Sequence, residues 1–228
     1  MPGNVKITKR QIKEDKFTTM MLTTKDRVAE NWQFVAIGLV VVIMIISGLV
    51  YYVNSQEEAR QEAGERFARA LLDYRNGEHQ IAILGLNTIV EEYGSDDVAE
   101  QSVFLLGKLN LLDRNYPEAS RYFEMYLDRY SQNLLNRAAA VAGLATCLEN
   151  QGRYAEAAVK FETAASEFSG GPSEGDYLVG ALRNYLEAGD PDRAKLVLER
   201  IEEDHSETEF LRRAQILFYE KGKSEPES

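Results

Sequence analysis

RNYPEASRYFEMYLDRY (Arg114–Tyr130) and GRYAEAAVKFETAASEF (Gly152–Phe168) spell one helix twice, 38 residues apart. In each, an alanine (Ala119 or Ala157) is followed four residues later by Phe123 or Phe161, and the segment closes on an aromatic residue. Laying the turns over one another adds GDPDRAK and, more weakly, GEHQIAI to the same register. The matched positions become Ile81, Ala119, Ala157 and Ala194, with spacings of 38, 38 and 37 residues. Gly85, Phe123, Phe161 and Leu198 lie four residues on. A constant period of this length is the mark of a repeat architecture.

Each unit holds two amphipathic patterns. In the second, Leu105, Leu106, Leu109 and Leu112 precede the turn, and Phe123, Tyr126, Leu127 and Tyr130 follow at helical spacing. Asn115, Gly152, Gly189 and Asp190 are stop signals, while Pro117 and Pro191 fall where a first helical turn accepts proline. The unit is therefore a helical hairpin. Its small matched residue lets two helices approach closely, and the aromatic one turn later fills the space beyond.

Gly107, twelve positions before Ala119, with Phe123 four after it, resembles the Gly-Ala-aromatic pattern of tetratricopeptide repeats. The third unit keeps Ala157 and Phe161 but has Ala145 at the glycine position. The resemblance covers roughly Glu57 to Lys221 and is strongest in the middle two units, as befits repeats whose ends act as caps. It implies an all-α fold: about four hairpins in a superhelix, closed by a C-terminal capping helix.

Residues 31–56 carry no charged side chain, and Trp32–Val53 makes a run of 22 residues, about 33 Å as helix, which predicts one transmembrane span. Trp32 at one end and Tyr51 and Tyr52 at the other suit the interfacial belts that anchor such a helix. A cleaved signal peptide would want a shorter core and a small-residue cleavage site, which Tyr51-Tyr52-Val53-Asn54 does not offer. Seven basic residues precede the span and three (Arg60, Arg66, Arg69) follow it closely, so a cytoplasmic N-terminus is expected. The C-terminal part would then be periplasmic in a bacterial inner-membrane protein. Four segments result: a basic leader (1–31), the span (32–53), the repeat domain (54–222) and a disordered tail (223–228). Ile7, Ile12, Phe17, Met20, Met21 and Val28 give the leader a partly amphipathic pattern, suited to anionic lipid or to a cytoplasmic protein.

The charged leader, AENW before the span, YYVNSQ after it and degenerate repeats beyond resemble the ancillary subunit family of the bacterial SecYEG translocon, although this leader is longer than that family's. That architecture implies work beside the protein-export machinery.

The net charge is −11. Taking the leader's seven basic and four acidic residues from totals of 26 and 37 leaves 19 and 33, or −14. Nucleic acid is excluded as a partner, because phosphate recognition needs a basic footprint. The lone cysteine, Cys147, sits in an apolar helical setting and is expected to be core. GPSEG (Gly171–Gly175) matches a nucleophile elbow in letters only, since an elbow joins a strand to a helix and both flanks here are helical. His79 and His205 stand alone, the acidic pairs Glu91-Glu92 and Asp96-Asp97 and the run Glu202–Asp204 lack the spacing of a calcium loop, and no P-loop occurs. No catalytic, cofactor or metal site is expected.

What the resemblance leaves is a concave surface built from the first helix of each hairpin. The family's groove positions fall on Arg66, Ala70 and Tyr74; on Gln101, Phe104, Lys108 and Leu112; on Thr146 and Asn150; and on Asp176, Arg183 and Glu187. The paired Lys and Asn that clamp a terminal carboxylate in some repeats are not reproduced as a set. An adaptor holding polypeptide segments is the first expectation, and a scaffold in an envelope complex with one fixed partner is the other.

Overall fold

Apolar residues recurring every third or fourth position between turn signals fold as helix. The computed structural model, which describes residues 32–94, 97–130, 132–206 and 208–222, is helical and free of strands among them. The elements are α1 (Trp32–Arg75), α2 (His79–Glu92), α3 (Asp97–Leu112), α4 (Tyr116–Arg129), α5 (Leu134–Asn150), α6 (Tyr154–Glu167), α7 (Glu174–Glu187), α8 (Pro191–Asp204) and α9 (Glu209–Gly222). The expected leader and tail lie outside the described residues.

The chain divides into two units, Met1–Glu58 and Ala59–Ser228, with the boundary inside α1. In the first, every described side chain of α1 is exposed, and the helix is long and apolar enough to cross a membrane. Trp32, Tyr51 and Tyr52 are among these exposed residues. The expected span and the first helix of the first hairpin are one element, because nothing between Val53 and Arg75 breaks a helix: no proline occurs and Gly64 is the lone glycine.

The second unit is four hairpins and a cap. From Ala59 onward α1 pairs with α2, α3 with α4, α5 with α6, and α7 with α8, and α9 packs on both α7 and α8. Each first helix ends in the same turn. The N–H groups of Glu78, Asn115, Arg153 and Asp190 donate to the carbonyls of Asp73, Asn110, Leu148 and Tyr185, five residues back, at 2.8–3.0 Å. This is the Schellman closure, whose penultimate residue adopts a left-handed backbone. Gly77, Gly152 and Gly189 take it with φ of 81°, 74° and 72°; in the second hairpin Arg114 takes it with φ of 60°.

The register of the first hairpin differs from the expected one. Ala82 is fully buried, with Leu86 and Ile89, whereas Ile81 is 55% exposed. Ala82, Ala119, Ala157 and Ala194 are therefore the equivalent positions. Small residues meet where α1 and α2 pack, the Cβ position of Gly85 lying at van der Waals contact, 3.5 Å, from the Cβ of Ala70. Ala70, expected in the groove, belongs to this contact and is 2% exposed.

Phe123 shows how neighbouring hairpins lock. Its ring lies between Gly107 of α3 and Gly143 of α5, where added Cβ atoms would stand 2.7 and 2.4 Å from it. Phe161 meets Gly180 of α7 in the same way, at 3.0 Å. Burying such a ring contributes about 2–3 kcal/mol, and only glycine lets the backbone come so near. α5 faces a core on two sides. Ala140, Leu144 and Cys147 join the core of the first three hairpins, while Val141, Ala142 and Ala145 join that of the last two and α9. An apolar centre, residues 138–145, with the charged residues kept to the two end turns, is the physical consequence of that central place. Burial also pushes the Cys147 thiol pKa up, so it packs as a small hydrophobe.

Candidate peptide-binding hollow

The first helices of the first three hairpins end side by side, and between their ends lies a hollow of about 410 Å³. Leu105, Leu109, Leu111 and Leu112 of α3 form its apolar side. Tyr74 closes it from α1, Thr146 and Asn150 from α5, and Tyr116 from the start of α4. Hydrogen bonds fix the polar wall: the Tyr116 hydroxyl donates to Asn150 Oδ1 at 2.8 Å, Asn150 Nδ2 to the Thr146 carbonyl at 2.9 Å, and Thr146 Oγ1 to the Ala142 carbonyl at 2.9 Å. Tyr74 is steadied by the His79 ring, centroids 5.7 Å apart, and His79 Nδ1 lies 2.7 Å from Asp113 Oδ1.

Five of the residues expected in a groove meet here: Tyr74, Lys108, Leu112, Thr146 and Asn150. Four do not. Arg66 is held by Glu62 at 2.8 Å and Glu92 at 2.7 Å, and its hydrogen bond to Glu62 raises its pKa further. Arg183 forms a bidentate pair with Glu149, at 2.7 and 2.9 Å. Gln101 is exposed. Phe104 is half-buried, its ring 5.3 Å from Tyr126 and 6.3 Å from Phe123, with Lys108 Nζ 5.9 Å above it. Asp176 and Glu187 face the cap, where they pair with Arg213 at 2.8 Å and with Lys221.

Five lining residues escaped the sequence reading, three of them the leucines Leu105, Leu109 and Leu111 of α3. Tyr116 follows the turn, outside the first helix, and Arg114 is the turn residue itself. The signal for Arg114 was present, because it stands 37 residues after Gly77 and 38 before Gly152, in a place otherwise held by glycine.

A larger hollow, about 980 Å³, lies on another side of α5, between α4 and α6. Leu127, Leu144 and Leu148 floor it, and Glu124, Asp128, Glu156, Arg153 and Lys160 ring it with both signs of charge. Arg153 is spent on Glu156, at 2.6 and 2.7 Å.

No nucleophile–base pair is assembled among the described residues. Ser173 precedes α7 in a loop between two helices, and His205 faces Glu174. Among the described residues no group of three or more His, Cys, Asp or Glu is placed to hold a metal ion.

The fold and its hollow define a helical-hairpin repeat protein with a recess between first helices. The family model for the tetratricopeptide repeat-like domain matches residues 25–181, more than half of the sequence, and the chain belongs to that family. Two solved structures are similar: a candidate kinesin light chain of Podosopora anserina with nearly identical tetratricopeptide-like repeats, and a single-substitution form of that same protein. Each is 18% identical and covers 70% of this chain and 84% of its own, with TM-scores of 0.55 and 0.56 respectively, a likeness of fold. No curated protein matches the chain. Repeats of this class mediate protein–protein interaction and are typically scaffolds rather than catalysts.

Proposed function

We propose that this chain is a membrane-anchored adaptor that captures polypeptide segments of a partner protein in the hollow between α1, α3 and α5. The carrying observation is that hollow: five first-helix residues from three hairpins converge on a leucine-lined recess with a hydrogen-bonded polar wall. Apolar recesses with a few fixed polar groups are where side-chain anchors of a partner gain most binding energy. The apolar part of α1 supports anchoring, and the excess of Lys and Arg before it supports a cytoplasmic N-terminus with the repeats on the far side, periplasmic in a bacterium. The sequence flanking the span supports a place beside the export machinery.

The test is site-specific photo-crosslinking in native membranes with the full chain. A crosslinker at Leu112 or Thr146 is expected to trap polypeptide, and one at exposed Ser166 on α6 is not. Many weak adducts mark capture of segments, whereas a single stoichiometric adduct would turn the reading to a fixed scaffold. Adducts from Ser120 and Lys160 alone would move the site to the larger hollow.

A further inference from the structure

The hollow between α1, α3 and α5 is basic on an acidic protein. Its lining holds Lys108 and Arg114 and no carboxylate, in a chain of net charge −11. Among the described residues neither cation has an ion-pair partner; Lys108 meets only the face of Phe104. The nearest acidic neighbour in sequence, Asp113, is engaged by His79 at 2.7 Å and by Gln80 at 3.2 Å. Most arginines of the second unit are, by contrast, paired, as Arg66, Arg137, Arg183 and Arg200 are.

Arg114 also stands where its backbone is disfavoured. Four equivalent turns need a left-handed residue, three use glycine, and the one that borders the hollow uses an arginine at φ 60°. A side chain with a Cβ is strained in that region, and strain of this kind persists at sites where the side chain serves a purpose. Resting on the reading of the hollow as a peptide site, we infer that its occupant is an acidic-apolar segment: an apolar side chain seated among Leu105, Leu109 and Leu112, flanked by carboxylates that Lys108 and Arg114 receive. Guanidinium and ammonium groups gain most when the carboxylate arrives with its water stripped, and the leucines strip it. The alternative use of Arg114 is structural, a cation offsetting the partial negative end of α3. The two uses give opposite signs when glycine replaces it.

The experiment uses the full chain in detergent micelles and two dye-labelled nonapeptides with blocked ends, so that no terminal carboxylate contributes. One carries a Leu-Phe pair flanked by aspartates, the other the same pair flanked by asparagines. Fluorescence anisotropy is expected to show the aspartate peptide bound roughly tenfold more tightly, with the advantage shrinking as salt rises through about 0.15 M. Arg114→Gly is expected to cancel most of that advantage by weakening the aspartate peptide far more than the asparagine peptide, and to raise the melting temperature by roughly 2–4 °C as the turn relaxes. Lys108→Gln, with no backbone strain to relieve, is expected to cut the advantage without moving the melt. Equal binding of the two peptides, or an advantage that survives both substitutions, overturns the charge inference and leaves a purely apolar peptide site. A melt lowered by Arg114→Gly assigns the arginine to the helix end and overturns the inference too. Binding of neither peptide overturns it together with the peptide-site reading.

Discussion

Gly143 and Phe123 set the spacing of neighbouring hairpins. A Cβ on residue 143 would lie 2.4 Å from the ring, and the ring cannot retreat, because Gly107 holds its other side within 2.7 Å of where a Cβ would stand. Gly143→Ala is therefore expected to destabilise the domain by about 1–3 kcal/mol, despite alanine's better helix propensity, since overpacking outweighs the gain of about 1 kcal/mol that an exposed helical site would show. Urea unfolding of the single variant and of Gly143→Ala with Phe123→Leu checks it: the smaller side chain should recover part of the loss, and additive costs would mean the two residues are not in conflict. Gly107 was legible in the sequence, being twelve residues before Ala119 in the same hairpin. Gly143 was not, because its partner lies in the previous hairpin and a repeat alignment reads within units. Gly180, 37 residues further on and against Phe161, was the clue.

At the scale of elements, the hairpins were legible in turn residues and period, and the cap in the resemblance to tetratricopeptide repeats. The errors came where hydropathy and burial disagree about which residue is core. By hydropathy Ile81 outranks Ala82, yet the fold buries the alanine and turns the isoleucine outward. The groove was read from first-helix positions, so its turn residues Arg114 and Tyr116 were missed. Unread as well was the joint that fixes the last two hairpins and α9. Glu174, 3% exposed, begins α7, accepts the Gly170 N–H at 2.7 Å and pairs with Arg200 of α8 at 2.7 Å, while His205 Nε2 lies 3.7 Å away. Beside this joint Phe210 of α9 covers Gly175. One carboxylate thus ties the α6–α7 loop to α8. Glu174→Ala leaves Arg200, itself one-third exposed, without this partner, though Asp204 remains 3.6 Å from its Nε, and leaves the loop N–H unsatisfied. A loss of about 2–3 kcal/mol is expected, below the full cost of breaking a sealed pair. Hydrogen exchange should show protection falling first in α8 and α9; uniform loss from α2 to α9 would contradict so local a joint.

Across the whole second unit, one tyrosine in each core makes stability a function of alkaline pH. Tyr126 lies in the core of the first three hairpins and Tyr185 in that of the last two and α9. Burial, reinforced by hydrogen bonds to Glu100 and Glu162, pushes each phenol pKa up to about 12. In the unfolded chain a tyrosine releases its proton near pH 10. Below that both states are protonated and the two residues leave stability flat. Between about 10 and 12 the unfolded state binds fewer protons, so stability falls as pH rises, by roughly 1.4 kcal/mol per pH unit for each tyrosine. The two cores share α5 and should weaken together rather than in sequence, since stability in a repeat array is set by neighbour interfaces. Urea midpoints of the full chain in detergent at about pH 9 and 11 are expected to drop steeply. In Tyr126→Phe with Tyr185→Phe the drop should shrink, because no buried phenol remains to titrate at either place. An unchanged slope in the double variant would show that alkaline unfolding starts elsewhere, at the other tyrosines that burial raises, Tyr93, Tyr130 and Tyr177. A slope halved by either single variant would place the two cores in one cooperative unit.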